Sequence, residues 1–112
     1  MEVVTHSARQ TVEAVEGVHL TQLAVGDEMS VQHFHFEPGA SVPEHSHEHE
    51  QVGYVSSGTF TFIVGGEERT VGPGDSYVVP GGEPHRVENR SEEPVDGIDV
   101  FAPPRENPDW LE

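Results

Sequence analysis

Eight histidines stand among 112 residues, and five of them fall between His33 and His49. The densest stretch reads His45-Ser46-His47-Glu48-His49-Glu50-Gln51. Imidazole nitrogens and amide or carboxylate oxygens are ligands for divalent transition metals, so the stretch reads either as part of a metal site or as a polar loop. Geometry restricts the first reading. In a straight strand rising about 3.3 Å per residue, the α-carbons of residues 45 and 51 would lie about 20 Å apart. Metal bonds of about 2 Å cannot bridge that gap. His45 and His47, by contrast, would share one strand face about 6.6 Å apart and could converge on one ion. A turn through Glu48 to Glu50 would then bring Gln51 back beside them on an antiparallel neighbour. His49 lies inside that turn and reads as a residue behind the ligands or on the surface. His33 and His35 alternate with Phe34 and Phe36, so period two puts the phenylalanines on one face and the imidazoles on the other, as exposed or interface histidines. His6 and His19 carry no signal of their own.

The elements that must position these residues are strands. Hydrophobic residues make up only 33% of the chain, with Gly 12 and Pro 9, so burial is concentrated in short apolar runs between turns, the pattern of an all-β sandwich or barrel. Strands are expected over Val18–Val25, Met29–Glu37, Gln51–Ser56, Thr59–Val64, Arg69–Val71, Ser76–Val79, His85–Glu88 and Val95–Phe101. No stretch of helical period competes with them. Gly65-Gly66 joins Thr59–Val64 to Glu67–Val71 as a β-hairpin. The length suits one domain over residues 1–112, with the Pro-rich stretch 102–112 as a tail over the barrel, anchored by Trp110 and Leu111. No segment reaches membrane-spanning length and no leader is apparent, so a cytoplasmic location is the default expectation. The absence of cysteine excludes disulfides, thiolate metal ligands and a cysteine nucleophile.

In these spacings the chain resembles the cupin family. That family's first motif is a glycine, five residues, His-x-His, three or four residues, a glutamate, six residues and a glycine; it matches Gly39, His45, His47, Gln51 and Gly58. Its second motif matches at Gly74, Pro80, Gly82, His85 and Asn89. The resemblance implies a single jelly-roll-like β-barrel with one divalent transition metal ion inside one mouth, held by His45, His47, Gln51 and His85. Gln51 departs from the usual glutamate. Three imidazoles and an amide are all neutral, so the ion would keep its full charge and suit an anionic substrate. Nitrogen and oxygen ligands fit Ni, Zn, Mn, Fe or Co alike.

Within the family the chain looks like the pectin-degradation cupins of the KdgF type, which also carry glutamine there. The likeness continues through Gly53–Gly58, Val71–Ser76 and Asp99–Glu106. It implies ring opening of 4,5-unsaturated uronates, with Asp99, Phe101 and Arg105 in the active site. Parity puts Asp99 and Phe101 on one strand face. Arg105 suits a bidentate contact with a uronate carboxylate, and Asp99 suits proton transfer. The structural alternatives are an Asp99–arginine pair and an Arg105 that caps the barrel. Two other functions stand beside this one: a non-catalytic module that binds or senses a small anionic ligand, and an iron-dependent dioxygenase. The family resemblance also implies a homodimer.

The 21 acidic residues face five arginines and no lysine, for a formal net charge of −16. Such a charge argues against a phosphate-backbone partner and excludes nucleic acid. It also destabilises a compact state by self-repulsion in dilute buffer. A merely solvated acidic surface is one reading. Adaptation to high salt, where screening removes the repulsion, is the reading that resemblance to halophile proteins favours. It predicts a thermal midpoint that climbs as salt is raised into the molar range in scanning calorimetry; a flat response would leave only an acidic exterior.

Overall fold

The structure is a computed structural model that describes residues 1–105. The expected tail anchors Trp110 and Leu111 lie outside the described residues. A short 3-10 turn at His6–Ala8 precedes ten strands: β1 (Thr11–Val15), β2 (Val18–Val25), β3 (Ser30–Phe36), β4 (Ser41–His45), β5 (Glu50–Ser57), β6 (Phe60–Val64), β7 (Glu67–Val71), β8 (Ser76–Val79), β9 (His85–Glu88) and β10 (Val95–Ala102). They form a six-stranded sheet in the order β1-β2-β3-β10-β5-β8 and a four-stranded sheet in the order β4-β9-β6-β7. Every pairing is antiparallel. The all-β, jelly-roll-like architecture is thus the one the sequence leads to. No helix among the described residues is long and apolar enough to cross a membrane.

Burial alternates strictly along the central strands β3 and β10 of the larger sheet, as strands with one face on a core require. In β3, Ser30, Gln32, Phe34 and Phe36 are buried while His33 and His35 are only partly covered. The two sheets meet through aromatic rings. Phe34 of β3 stacks on Phe60 of β6 at a centroid distance of 5.3 Å. Phe36 meets Phe60 edge-on at 5.5 Å, and Phe60 meets Phe62 at 5.3 Å. Each such buried side chain contributes about 1.5–3 kcal/mol of transfer free energy, so this cluster fixes the separation of the sheets and hence of whatever each sheet carries.

The inner face of the six-stranded sheet changes character row by row, because antiparallel register aligns residues across strands. The deepest rows are apolar, with Val18, Phe36 and Val95 followed by Leu20, Phe34, Gly97 and Val55. The next row is polar: Gln22, Gln32, Asp99, Gly53 and Tyr77 are successive partners across β2, β3, β10, β5 and β8. Ser30, Phe101, Gln51 and Val79 form the row beyond it.

Two strands escaped the sequence reading. Strand β4 contains Pro43 and Glu44, which weaken a strand signal, and it is tolerated because it is an edge strand. Strand β1 is likewise an edge, with exposed Thr11, Glu13 and Val15. The Gly65-Gly66 hairpin forms as expected, both glycines having positive φ and Val64 pairing with Glu67. Glu67 and Glu68 begin β7.

Candidate metal centre and cavity

His45 closes β4 and His85 opens β9, and the two are register partners in the four-stranded sheet. Gln51 arrives from β5 in the other sheet. This corrects the expected local geometry. Strand β5 is not the antiparallel neighbour of β4, and His47 lies past the end of β4, in the segment that crosses between sheets. That crossing is clamped from the side. The Gly82 amide donates to the His47 carbonyl at 2.7 Å, and a Cβ on Gly81 would lie 2.4 Å from the Glu48 carbonyl oxygen. The glycines of the second motif therefore press the β8–β9 turn onto the histidine loop. Asn89 holds the far end, its amide donating to the carbonyls of Phe36, Glu37 and Glu93.

Three imidazoles converge. Nitrogens of His45, His47 and His85 all lie within 4.8 Å of one another. In each ring Nδ1 faces a carbonyl oxygen: Pro43 for His45 at 3.0 Å, His49 for His47 at 3.0 Å and Glu83 for His85 at 2.9 Å. A carbonyl can only accept, so Nδ1 carries the proton and Nε2 of a neutral ring presents a lone pair. Burial is the largest influence on His47 and His85 and holds both below the ordinary histidine value, against the opposing carbonyl contacts. The neutral form is the one that ligates metal. His47 Nε2 then lies 3.2 Å from Gln51 Oε1. Two lone pairs face each other there, at about the spacing of adjacent ligands on one ion with bonds of about 2.1 Å. The four side chains fit a divalent transition metal.

A second group, Glu13, His19 and Glu37, also brings ligand-type atoms within 4.8 Å. Both glutamates are exposed and His19 already pairs with Glu37 at 2.7 Å. His33 and His35 occupy the outer sheet face, as period two required, with His35 Nδ1 2.7 Å from Asp96. His6 packs its ring against His33 at 4.6 Å. His49 is neither a partner of the three nor fully outside: its ring lies 5.8 Å from His47 and 6.1 Å from Phe101, and its Nδ1 is buried without a partner among the described residues.

Asp99 and Phe101 point inward and are buried, at 6% and 1% exposure. Asp99 Oδ1 accepts a 2.6 Å hydrogen bond from the Tyr77 hydroxyl. That bond requires Gly53. A Cβ there would lie 2.1 Å from the Tyr77 ring, so the missing side chain is what lets the ring cross β5 to reach β10. Burial pushes the Asp99 carboxyl up to about 6, against hydrogen bonds from Tyr77 and Gln51 and the charge of Arg105. A cation on the imidazoles would draw it back down. Burial also raises the Tyr77 phenol, which therefore stays protonated and donating. Gln51 faces both ways, hydrogen-bonded to Asp99 and presenting its oxygen to His47. A glutamate in its place would oppose Asp99 with a like charge, which gives the amide a physical reason.

Arg105 sits at the start of the tail. Its backbone amide donates to Ser30 Oγ at 2.8 Å, and its carbonyl accepts from Gln22 Nε2 at 2.7 Å. Its guanidinium lies 5.0 Å from the Phe101 ring centroid, a cation–π distance. Phe101 in turn meets His47 edge-on at 5.7 Å. His45, Gln51, His85, Asp99, Phe101 and Arg105 all line one cavity of about 340 Å³.

The sequence reading missed Tyr77 and Gln32. Gln32 is 5% exposed and lines the same cavity, and its Oε1 has no partner among the described residues. Leaving such an acceptor buried and unpaired costs about 1–3 kcal/mol. Its signal was legible: Gln32 has the parity of Phe34 and Phe36 and interrupts their apolar face.

The fold and the two motifs define a class, and the chain belongs to the cupin family, whose domain model matches residues 32–101. It is 33% identical over 91 residues to the pectin degradation protein KdgF of Dickeya dadantii (strain 3937), covering 80% of this chain and 82% of that protein. KdgF from Halomonas sp. has a TM-score of 0.85 at 28% identity, over 95% of this chain and 96% of that one. An RmlC-like cupin from Shewanella frigidimarina NCIMB 400 gives 0.84 at 27% identity, over 95% and 94%. The polyketide cyclase RemF from Streptomyces resistomycificus gives 0.81 at 23% identity, over 91% and 79%, a likeness of fold alone.

The assignment of ligands is tested by metal content. Combined His45→Ala and His85→Ala is expected to abolish stoichiometric binding of divalent metal in equilibrium dialysis, since His47 and Gln51 cannot hold an ion tightly alone. Retention of one equivalent would move the site elsewhere, with Glu13, His19 and Glu37 the first residues to examine.

Proposed function

We propose that this cupin is an enzyme that opens the ring of 4,5-unsaturated uronates to the linear keto form, with one divalent transition metal held by His45, His47, Gln51 and His85. The observation that carries the reading is the meeting, in one cavity, of His45, Gln51 and His85 with Asp99, Phe101 and Arg105, His47 converging on the other two imidazoles. The likeness to two KdgF proteins, one of them named for pectin degradation, supports the substrate class.

Ring opening is an isomerisation and needs no co-reactant. The Asp99 carboxylate takes the proton of the anomeric hydroxyl as the bond from the anomeric carbon to the ring oxygen breaks and a carbonyl forms. The electrons released leave an enolate across the former double bond. Asp99, now protonated, returns the proton to carbon 4, and the ring oxygen becomes the ketone oxygen. Burial raises the Asp99 carboxyl and a bound cation would lower it, so the two oppose each other at the group that takes up and returns the proton. Tyr77 holds the carboxyl in place by donating to Oδ1. Arg105, resting on Phe101, offers a planar fork for the uronate carboxylate. A bound metal would supply Lewis-acid stabilisation of the negative charge on substrate oxygen.

The reading includes a cytoplasmic homodimer in a high-salt proteome. What supports a dimer is the outer face of β5, β8 and β10, where Val52, Tyr54, Val78 and Ile98 are exposed and large apolar groups gather on neighbouring strands.

The purified protein is expected to accelerate loss of unsaturated-uronate absorbance above the spontaneous rate. Asp99→Asn should lower turnover by about 10² or more with metal content unchanged. Arg105→Lys should chiefly raise KM, since a point charge cannot replace a bidentate fork. No acceleration with any of Ni, Zn, Mn or Fe bound would instead favour a ligand-binding module, and oxygen uptake with iron bound would favour a dioxygenase.

A further inference from the structure

The polar row of the inner face holds one acceptor that the ring-opening chemistry does not use. Gln32 stands between Gln22 and Asp99 in register, on strands β2, β3 and β10. It is buried, lines the cavity and keeps Oε1 without a partner among the described residues. Its neighbours along the row are all engaged. Gln22 donates to the Arg105 carbonyl, and Asp99 accepts from Tyr77. On its own strand, its inward companions Phe34 and Ser30 serve the core and the Arg105 backbone. An amide placed with such parity among aromatic residues, and left unpaired, contributes nothing to the core that an apolar side chain of its size would not.

We propose that Gln32 is a specificity-determining residue whose side-chain amide hydrogen-bonds a ring hydroxyl of the bound sugar acid. The inference rests on the uronate reading. Three polar positions then read different parts of one small ligand. Arg105 takes the carboxylate, Asp99 faces the atoms that exchange a proton, and Gln32 takes a hydroxyl on the β3 side of Asp99. A hydroxyl suits an amide, since each can both donate and accept. A second carboxylate there would stand beside the Asp99 carboxylate, so the site favours hydroxylated monoacids over diacids.

The test uses the near-isosteric Gln32→Met in the metal-loaded protein. Four measurements are made: the thermal midpoint without sugar, KM and kcat on unsaturated galacturonate, KM on its 2-deoxy and 3-deoxy analogues, and wild-type binding of saturated galacturonate. The expected result is a midpoint equal to or above that of the wild type, since an unpaired buried acceptor has been removed. KM should rise about tenfold with kcat within about threefold. One of the two deoxy analogues should lose about tenfold against the wild type and nothing further against Gln32→Met, as a double cycle requires when both changes remove one contact. A fall in the midpoint with unchanged KM would assign Gln32 to the fold and overturn the proposal. Turnover by the wild type with KM unaltered in Gln32→Met would also overturn it while leaving ring opening intact. A wild type that neither turns over the unsaturated sugar nor binds saturated galacturonate would remove the uronate reading and the hydroxyl assignment with it.

Discussion

A carboxyl group buried at the centre of a six-stranded sheet is the feature around which this site is arranged. Burial raises the Asp99 carboxyl from the ordinary carboxylate value to about 6 even with donors in place, about 3 kcal/mol against the charged form. Without those donors the cost of ionising it would be larger still. Tyr77 reaches Asp99 across the strand between them, and it can do so only where that strand carries no side chain, at Gly53. Gln51 donates from the next row. A glycine and an amide on β5 and a phenol on β8 thus serve one oxygen pair on β10, and the register of β10, β5 and β8 is what brings them together.

The candidate metal ligands depend on a different constraint. Each imidazole is oriented through its own Nδ1 by a backbone carbonyl, so the ring orientations follow from loop and strand-end geometry rather than from other side chains. Those loops are set by the second motif, where Gly81 and Gly82 close on the His47 segment. Because His45 and His85 belong to one sheet and Gln51 to the other, the site spans the aromatic layer that joins them. Phe34, Phe36, Phe60 and Phe62 therefore fix the ligand spacing as well as the core.

Much of this was legible in the chain. Alternation and turn residues located eight strands, and the hairpin at Gly65-Gly66 followed from the demand for positive φ. The spacing of the two motifs led to the residues that meet at the centre. What escaped were elements whose identity depends on partners distant in sequence. The edge strands Thr11–Val15 and Ser41–His45 carry exposed and charged residues and exist because β2 and β9 pair with them. The path from His47 to Gln51 crosses between sheets, which no local spacing reveals. Tyr77 is an ordinary strand tyrosine until β5 and β10 place a glycine and an aspartate beside it. Gln32 is the exception, since its parity with Phe34 and Phe36 placed it in the interior from the start.

The central claim is that a protein group, held on one side of the substrate, carries the proton from the anomeric oxygen to carbon 4. Nuclear magnetic resonance of the reaction run in deuterium oxide tests it most directly, because the product then acquires one deuterium at carbon 4. Delivery by Asp99 predicts a single configuration at that carbon, while the spontaneous reaction run in parallel gives both. An accelerated reaction whose product shows the two configurations in the spontaneous ratio would contradict the account.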